Sequence, residues 1–299
     1  MFVQHLVAPN AREWATTFRQ GLPAIPAPPE GGVIPMPRTA AATTVDDRAR
    51  RGYIQSWNFT LEKQLTGGWL VSAGYVATRS LKSLTSFNAN WSDIGTGAAG
   101  QQLRRQFGRV ASTSYHGVIG TSKYDSLQMR AQKRFSSGFQ GSFSYTFGKS
   151  LGYTSESSGS GLTVNHPLYF DKNYGPTSQD RRHNIQGSVM YELPFGGGKR
   201  WLNDGVGRYI LGGWQLNAIY SGYTGRPSRA AANGASLNAS GSSQFADCLG
   251  PVAKIGQVGQ WWDRSNLGQP IDPRFGTCGM NTLRGPGLNN VDMGVFRRF

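Results

Sequence analysis

Apolar and polar residues alternate one by one along several stretches of this sequence, and that pattern limits the fold more than any other feature. In segment 139–149, for example, Phe143, Tyr145 and Phe147 are separated by small polar residues. Successive side chains of a β-strand point to opposite faces, so the pattern predicts a strand with one apolar and one polar face. The same alternation predicts strands at 53–65, 69–78, 123–135, 139–149, 182–193, 213–223 and 289–299.

The lengths of these strands and of their connections indicate a membrane setting. Strands of globular proteins usually have ~5–6 residues, whereas a tilted strand needs ~9–11 residues to cross a bilayer. The turns at 66–68 and 136–138 are short, while the stretches 79–122, 150–181 and 224–288 are long and polar. Short turns at one end and long loops at the other are typical of an outer-membrane β-barrel.

Aromatic residues collect near the ends of the predicted strands, where rings of a barrel lie at the level of the lipid headgroups. These residues are Tyr53, Trp69, Phe135, Phe139, Phe147, Tyr191, Trp214 and Tyr223. Only 38% of all residues are hydrophobic, which suits a barrel because every second strand residue faces a polar interior.

We therefore predict an all-β fold, namely an antiparallel transmembrane β-barrel with long extracellular loops. It is partial, with about 7–8 long strands of a larger barrel, because a single-chain bacterial barrel needs an even number of at least eight. Either residues 1–50 hold a further strand or the sheet continues into strands outside this chain. The predicted division is an irregular Pro-rich N-terminal segment at 1–52, with a long connection at 20–50, and a partial barrel at 53–299.

The chain is strongly basic, with 31 Lys and Arg residues against 16 Asp and Glu residues and a net charge of +15. Such a charge can indicate binding to nucleic acid. The basic residues are spread over turns, loops and strand ends, where they would meet the phosphates of outer membrane lipid and lipopolysaccharide. We therefore expect no nucleic-acid partner.

Candidate catalytic and metal-binding groups do not form a recognisable site in the sequence. The segment 196–200 (GGGKR) lacks the spacing of a phosphate-binding loop. Residues 180–183 combine an acid, two bases and a histidine, but neighbours on a strand point to opposite faces and would not converge on one substrate. His5, His116 and His166 have no partner at metal-ligand spacing. We expect a protein that is not an enzyme and that needs no cofactor or metal.

Six short segments resemble the large TonB-dependent, Oar-like outer-membrane proteins. They are GYIQSWN at 52–58, GYVATR at 74–79, DRRHN at 180–184, YELPFG at 191–196, GGWQL at 212–216 and LRGPGLNN at 283–290. The resemblance covers residues 50–299, and it rests on the order of the segments rather than on any one of them.

This resemblance implies a C-terminal barrel fragment of a receptor that takes up a bulky solute. Full-length family members carry a signal peptide, a carboxypeptidase-regulatory-like domain, a plug and a barrel of about 22 strands. The implied location is the outer membrane of a Gram-negative bacterium. The implied partners are a plug domain and TonB, both outside this chain, and the barrel-assembly machinery, whose terminal signal resembles the strand that ends at Phe299.

The polar positions of the predicted strands form the candidate ligand site, because they would face the lumen. The lumen-facing set consists of Gln128, Arg130, Gln132, Ser142, Ser144, Asn184, Gln186, Gln215 and Asn217. The three long loops would contact the solute outside the cell. The alternative is a secreted, soluble β-rich adhesion or carbohydrate-binding module, in which the rings of Trp91, Trp261 and Trp262 would stack on sugars.

Cys248 and Cys278 both fall in the longest loop, 224–288. Disulfides persist in the oxidising compartments that exported proteins occupy, so we favour a disulfide over two free thiols. Closing a loop of this length is worth about 3.5 kcal/mol in the chain-entropy model.

Overall fold

The computed structural model describes residues 37–153 and 161–298. Its strands are β1 (Ala42–Val45), β2 (Tyr53–Leu65), β3 (Trp69–Asn88), β4 (Thr113–Ser136), β5 (Phe139–Gly152), β6 (Gly175–Pro176), β7 (His183–Glu192), β8 (Trp214–Tyr223), β9 (Pro227–Ser228), β10 (Asp247–Cys248), β11 (Lys254–Gln257), β12 (Gln260–Trp262), β13 (Leu267–Gly268), β14 (Leu283–Arg284) and β15 (Leu288–Arg297). Two short α-helices are α1 (Gln102–Phe107) and α2 (Gly205–Leu211), and 3₁₀ turns occupy Thr66–Gly68, Gly97–Gly100 and Pro167–Asn173.

Seven long strands form one sheet in the order β2-β3-β4-β5-β7-β8-β15, each antiparallel to its neighbours. The short strands β1 and β6 join the same sheet beside β4 and β5. Apart from these two, sequence neighbours are also sheet neighbours, so the chain runs up and down across the sheet. This open antiparallel sheet confirms the predicted fold class of a partial barrel.

The seven strands lie where alternation places them, but two are longer than expected. The parts of β3 and β4 beyond residue 78 and before residue 123 pair with each other, inside the stretch expected to be a loop. The apolar–polar alternation does not reveal these parts, because the pairing between β3 and β4 shifts register twice between Leu81 and Thr85. In addition, β1 forms within the segment expected to be irregular and pairs in parallel with the start of β4.

Three long connections, β3–β4, β5–β7 and β8–β15, leave the sheet at one end, the loop end. The tight β2–β3 and β4–β5 turns and the longer β7–β8 connection lie at the other, the turn end. The β4–β5 turn consists of Ser137 and Gly138, whose φ angles are 51° and 78°. Positive φ at both central residues of a two-residue hairpin is the conformation that matches the twist of the flanking strands. The β7–β8 connection carries α2 at the same end.

The pairing register gives the sheet two different faces. Residues directly opposite each other in paired strands share a face. The apolar face carries, among others, Phe59, Leu61, Tyr75, Leu127, Met129, Phe143, Phe147, Val189, Leu216, Val291, Met293 and Val295. These side chains are exposed; Phe59 and Met293, for example, keep 66% and 77% of their accessible surface.

The best-packed part of the molecule lies in the connections at the loop end. We call residues 89–112, 161–182 and 224–287 the loop layer. One buried cluster joins Val164, Leu237, Ala239, Phe245, Phe275 and Met280, and a second joins Ala230, Ala246 and Cys278. The long loops are thus packed against one another and do not stand apart as separate polar excursions.

Buried amide side chains replace regular secondary structure in this layer. Asn90 donates to the carbonyls of Arg109 and Ala111 at 3.0 and 2.9 Å, and its oxygen accepts from the Leu103 N–H. Asn173 donates to the Val164 carbonyl at 2.9 Å. Because buried backbone groups must be hydrogen-bonded, these amides hold irregular chain in fixed positions.

A disulfide between Cys248 and Cys278 closes part of the loop layer, with the two Cα atoms 5.0 Å apart. Cys278 belongs to the second buried cluster, and Cys248 packs against that cluster. Among the described residues, no helix is both long and apolar enough to cross a bilayer.

Candidate functional site

All nine residues of the predicted ligand set share one face of the sheet, which we call the polar face. Gln128 lies opposite Thr146, and Thr146 lies opposite Asn184. One row further along, Arg130, Ser144 and Gln186 follow each other across β4, β5 and β7. The remaining members, Gln132, Ser142, Gln215 and Asn217, belong to the same face by the same register.

The polar face holds two neighbouring hollows of about 460 and 440 Å³. Six of the nine residues line them: Arg130, Gln132, Ser142, Ser144, Gln186 and Asn217. The hydroxyls of Ser142 and Ser188 are 2.7 Å apart, and the amide nitrogen of Gln215 donates to the Asn217 amide oxygen at 2.8 Å. These contacts pre-orient neutral donors and acceptors, which bind hydroxyl and amide groups of a solute.

A larger cavity, of about 1030 Å³, lies where the polar face reaches the loop end. Ser80, Ser122 and Ser150 contribute from three strands of the polar face, and Thr177 and Gln179 come from the loop layer. The Thr177 hydroxyl donates to the Ser150 oxygen at 2.9 Å. Sequence reasoning missed this cavity because its walls come from segments that are far apart in the chain.

The charge of this cavity is positive. Arg50, Arg51 and Lys82 line it, and its described lining contains no carboxylate. Arg50, Arg51 and Lys82 are exposed, so their charges are available to a solute that enters from the loop end. The doublet Arg50-Arg51 was the one signal in the sequence that could have pointed to this cavity.

The side chains of residues 180–183 make contacts with different parts of the protein. Asp180, which is 1% exposed, accepts from the Ser150 N–H and forms an ion pair with Arg284. Arg181 lies over the Tyr223 ring at 4.6 Å, and Arg182 lies over the Phe147 ring at 5.7 Å.

His183, the fourth of them, shares a 2.8 Å hydrogen bond with the Tyr145 hydroxyl. The four side chains therefore form no common catalytic site. Asp180 instead ties the β5–β7 connection to β5 and to the β8–β15 connection, close to the sheet.

An ion pair next to the disulfide stabilises the loop layer. Arg274 donates to both carboxylate oxygens of Asp247 at 2.7 and 2.8 Å, and the Thr277 N–H donates to one of them at 3.0 Å. The Arg274 guanidinium, followed by the Thr277 backbone, holds the pKa of the Asp247 carboxyl below its ordinary value. The Asp247 carboxylate of the folded layer is therefore charged at neutral pH.

The tryptophans expected to stack on sugars are engaged inside the protein. The Trp91 ring lies 4.1 Å from the His166 ring. Trp261 donates its indole N–H to the Arg284 carbonyl at 2.9 Å, and the Lys254 ammonium lies 4.5 Å from its ring. Trp262 is half-buried in the β11–β12 hairpin. This packing gives no support to a sugar-stacking surface on these rings.

The histidines and the glycine-rich turn have structural partners. His166 is buried and its Nε2 lies 3.0 Å from an Asp93 oxygen, and His116 lies 3.3 Å from the Ser114 hydroxyl. His5 lies outside the described residues. Lys199 of the GGGKR segment pairs with Glu192 at 2.7 Å. In the part of the chain that the structure describes, no three His, Cys, Asp or Glu residues come together as metal ligands.

Comparison with known proteins points to one family. The model of the outer membrane beta barrel domain family matches residues 3–299. No curated protein matches the chain. Among solved structures, the outer membrane transporter YddB from Escherichia coli is similar, with 9% sequence identity and a TM-score of 0.43 over 70% of this chain and 26% of that chain. The chain thus spans about a quarter of the length of that transporter.

Proposed function

The chain belongs to the outer membrane beta barrel domain family and lies in the outer membrane of a Gram-negative bacterium, and from this premise we propose that it is the barrel portion of a TonB-dependent, Oar-like receptor for a bulky solute. In this proposal a plug domain and TonB, supplied from outside the chain, provide gating and energy. The barrel-assembly machinery inserts the barrel, and lipopolysaccharide surrounds it.

The observation that carries the proposal is the division of the sheet into two faces with opposite chemistry. The exposed apolar face suits contact with lipid, where only closed barrels and helices satisfy the backbone. The polar face then lines the lumen, and its amides and hydroxyls are suited to passing a hydrated solute. Since the larger cavity joins the loop end to the polar face, a solute that binds there lies at the entrance.

The charge of that cavity supports a particular kind of solute. Arg50, Arg51 and Lys82 attract anions, and the serine hydroxyls of the three strands offer hydrogen bonds. An acidic solute rich in hydroxyl groups fits both features. We propose binding and transport rather than catalysis, because the two hollows are lined by amides, hydroxyls and basic side chains, and no described residue of their walls brings a carboxylate that could complete an acid–base pair.

The test is uptake by cells that produce the full-length receptor. We expect uptake of a labelled acidic oligosaccharide to require TonB. We also expect the R50Q/R51Q double variant to lower it about tenfold, through loss of two charge-assisted contacts. The matched control is R104Q/R105Q, which removes two arginines from α1 of the loop layer, away from the cavity.

Uptake that continues unchanged in a strain without TonB would refute energised transport. Equal losses in the two double variants would refute the role of the cavity. The amount of each variant in the outer membrane is measured alongside, so that poor assembly is not mistaken for loss of binding.

The soluble adhesion module, the alternative predicted from the sequence, loses its basis. Family membership places the chain in the membrane, and the tryptophans on which the alternative relied are packed against protein groups.

A further inference from the structure

Positive charge is concentrated on the apolar face at the point where that face reaches the loop end. Arg79 of β3 lies directly opposite Lys123 of β4, and Lys149 of β5 lies directly opposite Asp125 of β4. We call Arg79, Lys123 and Lys149 the cationic cluster. Directly opposite side chains are about 5 Å apart at Cβ, and diagonal ones about 7–8 Å.

The one carboxylate beside this cluster, that of Asp125, does not neutralise its charge. Asp125 accepts from Arg79 at 2.7 Å and from the Tyr75 hydroxyl at 2.5 Å. Lys123 and Lys149 are exposed and form no ion pair with a carboxylate among the described residues. Three cations against one carboxylate leave a net charge of +2 within one patch. Because like charges directly opposite each other destabilise a sheet, this arrangement calls for an anion.

A fourth cation borders the patch. The Arg182 guanidinium lies over the Phe147 ring on the same face. Its Nε atom is buried and has no hydrogen-bond partner among the described residues. An unpaired buried donor costs about 1–3 kcal/mol, and an acceptor from outside the protein would satisfy it.

Immediately below the cluster the surface becomes apolar. The next row toward the turn end consists of Phe59, Tyr75, Leu127 and Phe147, one strand repeat or about 7 Å further on. Beside the cluster, the Arg79 guanidinium lies 5.2 Å from the Trp57 ring. Tryptophan rings prefer the headgroup level of a bilayer. The fitting ligand is therefore an amphiphile, with its anionic group at the cluster and its chains on the apolar face.

We infer that Arg79, Lys123 and Lys149 bind a phosphate group of a phosphorylated glycolipid in the outer leaflet. The inference rests on the proposed barrel, in which the loop end is extracellular and the apolar face contacts lipid. It differs from the solute site, because the cluster and the lumen lie on opposite faces of the sheet. The cluster fixes one lipid, and with it the depth at which β3, β4 and β5 sit in the membrane.

The experiment uses the full-length protein purified in detergent and lipid A as the probe. We expect the K123Q/K149Q variant to bind bisphosphorylated lipid A about 30-fold more weakly, since each lysine near an anionic lipid surface contributes about fivefold. The matched control is K63Q/K133Q, which removes two lysines of the same face at the turn end. It should bind within about twofold of the unchanged protein.

Three further measurements decide the outcome. Dephosphorylated lipid A should bind the unchanged protein and the K123Q/K149Q variant equally, and K123R/K149R should restore binding of the phosphorylated form. Equal binding of phosphorylated lipid A by both double glutamine variants would overturn the inference. Equal binding of phosphatidylglycerol would also overturn it, because the phosphate would then not be that of a glycolipid.

Uptake of the acidic oligosaccharide, measured on the same variants, separates this inference from the proposed function. We expect K123Q/K149Q to retain uptake. Lost lipid binding with normal uptake supports the cluster, whereas lost uptake in the TonB-containing strain with unchanged lipid binding counts against it. A heat-induced shift in gel mobility shows that each variant has folded.

Discussion

Single amide side chains determine the shape of the loop layer. The Asn173 oxygen accepts from the N–H groups of Thr163 and Val164, both at 2.9 Å, and its nitrogen donates to two carbonyls. Gln244 acts similarly between Phe245 and Gly276. Such residues look like ordinary polar loop residues in the sequence. Nothing in their spacing shows that they are buried, because the backbone groups they bind are set by the tertiary fold.

Replacing Asn173 with alanine should loosen the loop layer. Two backbone N–H groups and two carbonyls lose their partner, and each buried unsatisfied group costs about 1–3 kcal/mol. We expect the free energy of unfolding of the layer to fall by at least about 2 kcal/mol, measured by protection against proteolysis. The control is Q257A, at an exposed position of β11, which should change it by less than about 0.5 kcal/mol. Equal protection of the two variants would contradict this role for Asn173.

The Asp247–Arg274 pair predicts a loss of loop stability in acid. The folded state lowers the pKa of Asp247, so the pair stabilises the layer above the ordinary aspartate pKa of about 3.9. This stabilisation is lost as the pH falls through the lower, folded-state pKa. Protease protection should therefore decline below about pH 4. The D247N variant should be less protected at neutral pH and should lack this part of the decline; an identical pH profile would refute the assignment.

At the scale of elements, period-two alternation accounts for most of the sheet. It predicts β5, β7 and β8 to within a few residues and groups the nine polar residues on one face, although their facing a lumen remains a prediction. Alternation could not predict the upper parts of β3 and β4, where the register shifts. Nor could it predict the cores of the loop layer, because Val164, Leu237 and Phe245 are isolated apolar residues in polar sequence.

Adjacent positions of β5 allow a direct test of the two faces. Phe143 lies on the apolar face and Ser144 on the polar face. An arginine on the lipid side near the middle of a barrel strand costs about 2–4 kcal/mol, whereas lumen positions tolerate it. F143R should therefore reduce the heat-shifted, folded fraction of the full-length protein after refolding in lipid, and S144R should not. The reverse order would exchange the two faces and refute the lumen assignment.

At the scale of the whole molecule, the direction of the two edge strands restricts how the sheet can close. Both β2 and β15 run from the loop end to the turn end, and they form the two edges of the described sheet. Direct pairing of these edges would be parallel. Two copies inserted in the same orientation meet the same problem. An antiparallel barrel therefore needs an odd number of additional strands from outside the described residues.

This geometry predicts the behaviour of the chain on its own. Unpaired edges of 13 and 10 residues expose backbone groups that a bilayer cannot satisfy. The 299-residue chain refolded in detergent should give no heat-shifted band in gel electrophoresis, whereas the full-length protein should give one. A heat-shifted monomer of the isolated chain would show that residues of this chain outside the described part supply the missing strand.

In the proposed barrel the loop end is extracellular, so the packed loop layer is the part of the protein that other organisms meet. Its surface is assembled from three chain segments, held by buried clusters and by the Cys248–Cys278 disulfide. The epitopes that an antibody or a bacteriophage tail fibre encounters are therefore discontinuous. Serum raised against linear loop peptides should recognise the intact cell poorly, while serum raised against the oxidised, folded protein should lose much of its binding once the disulfide is reduced.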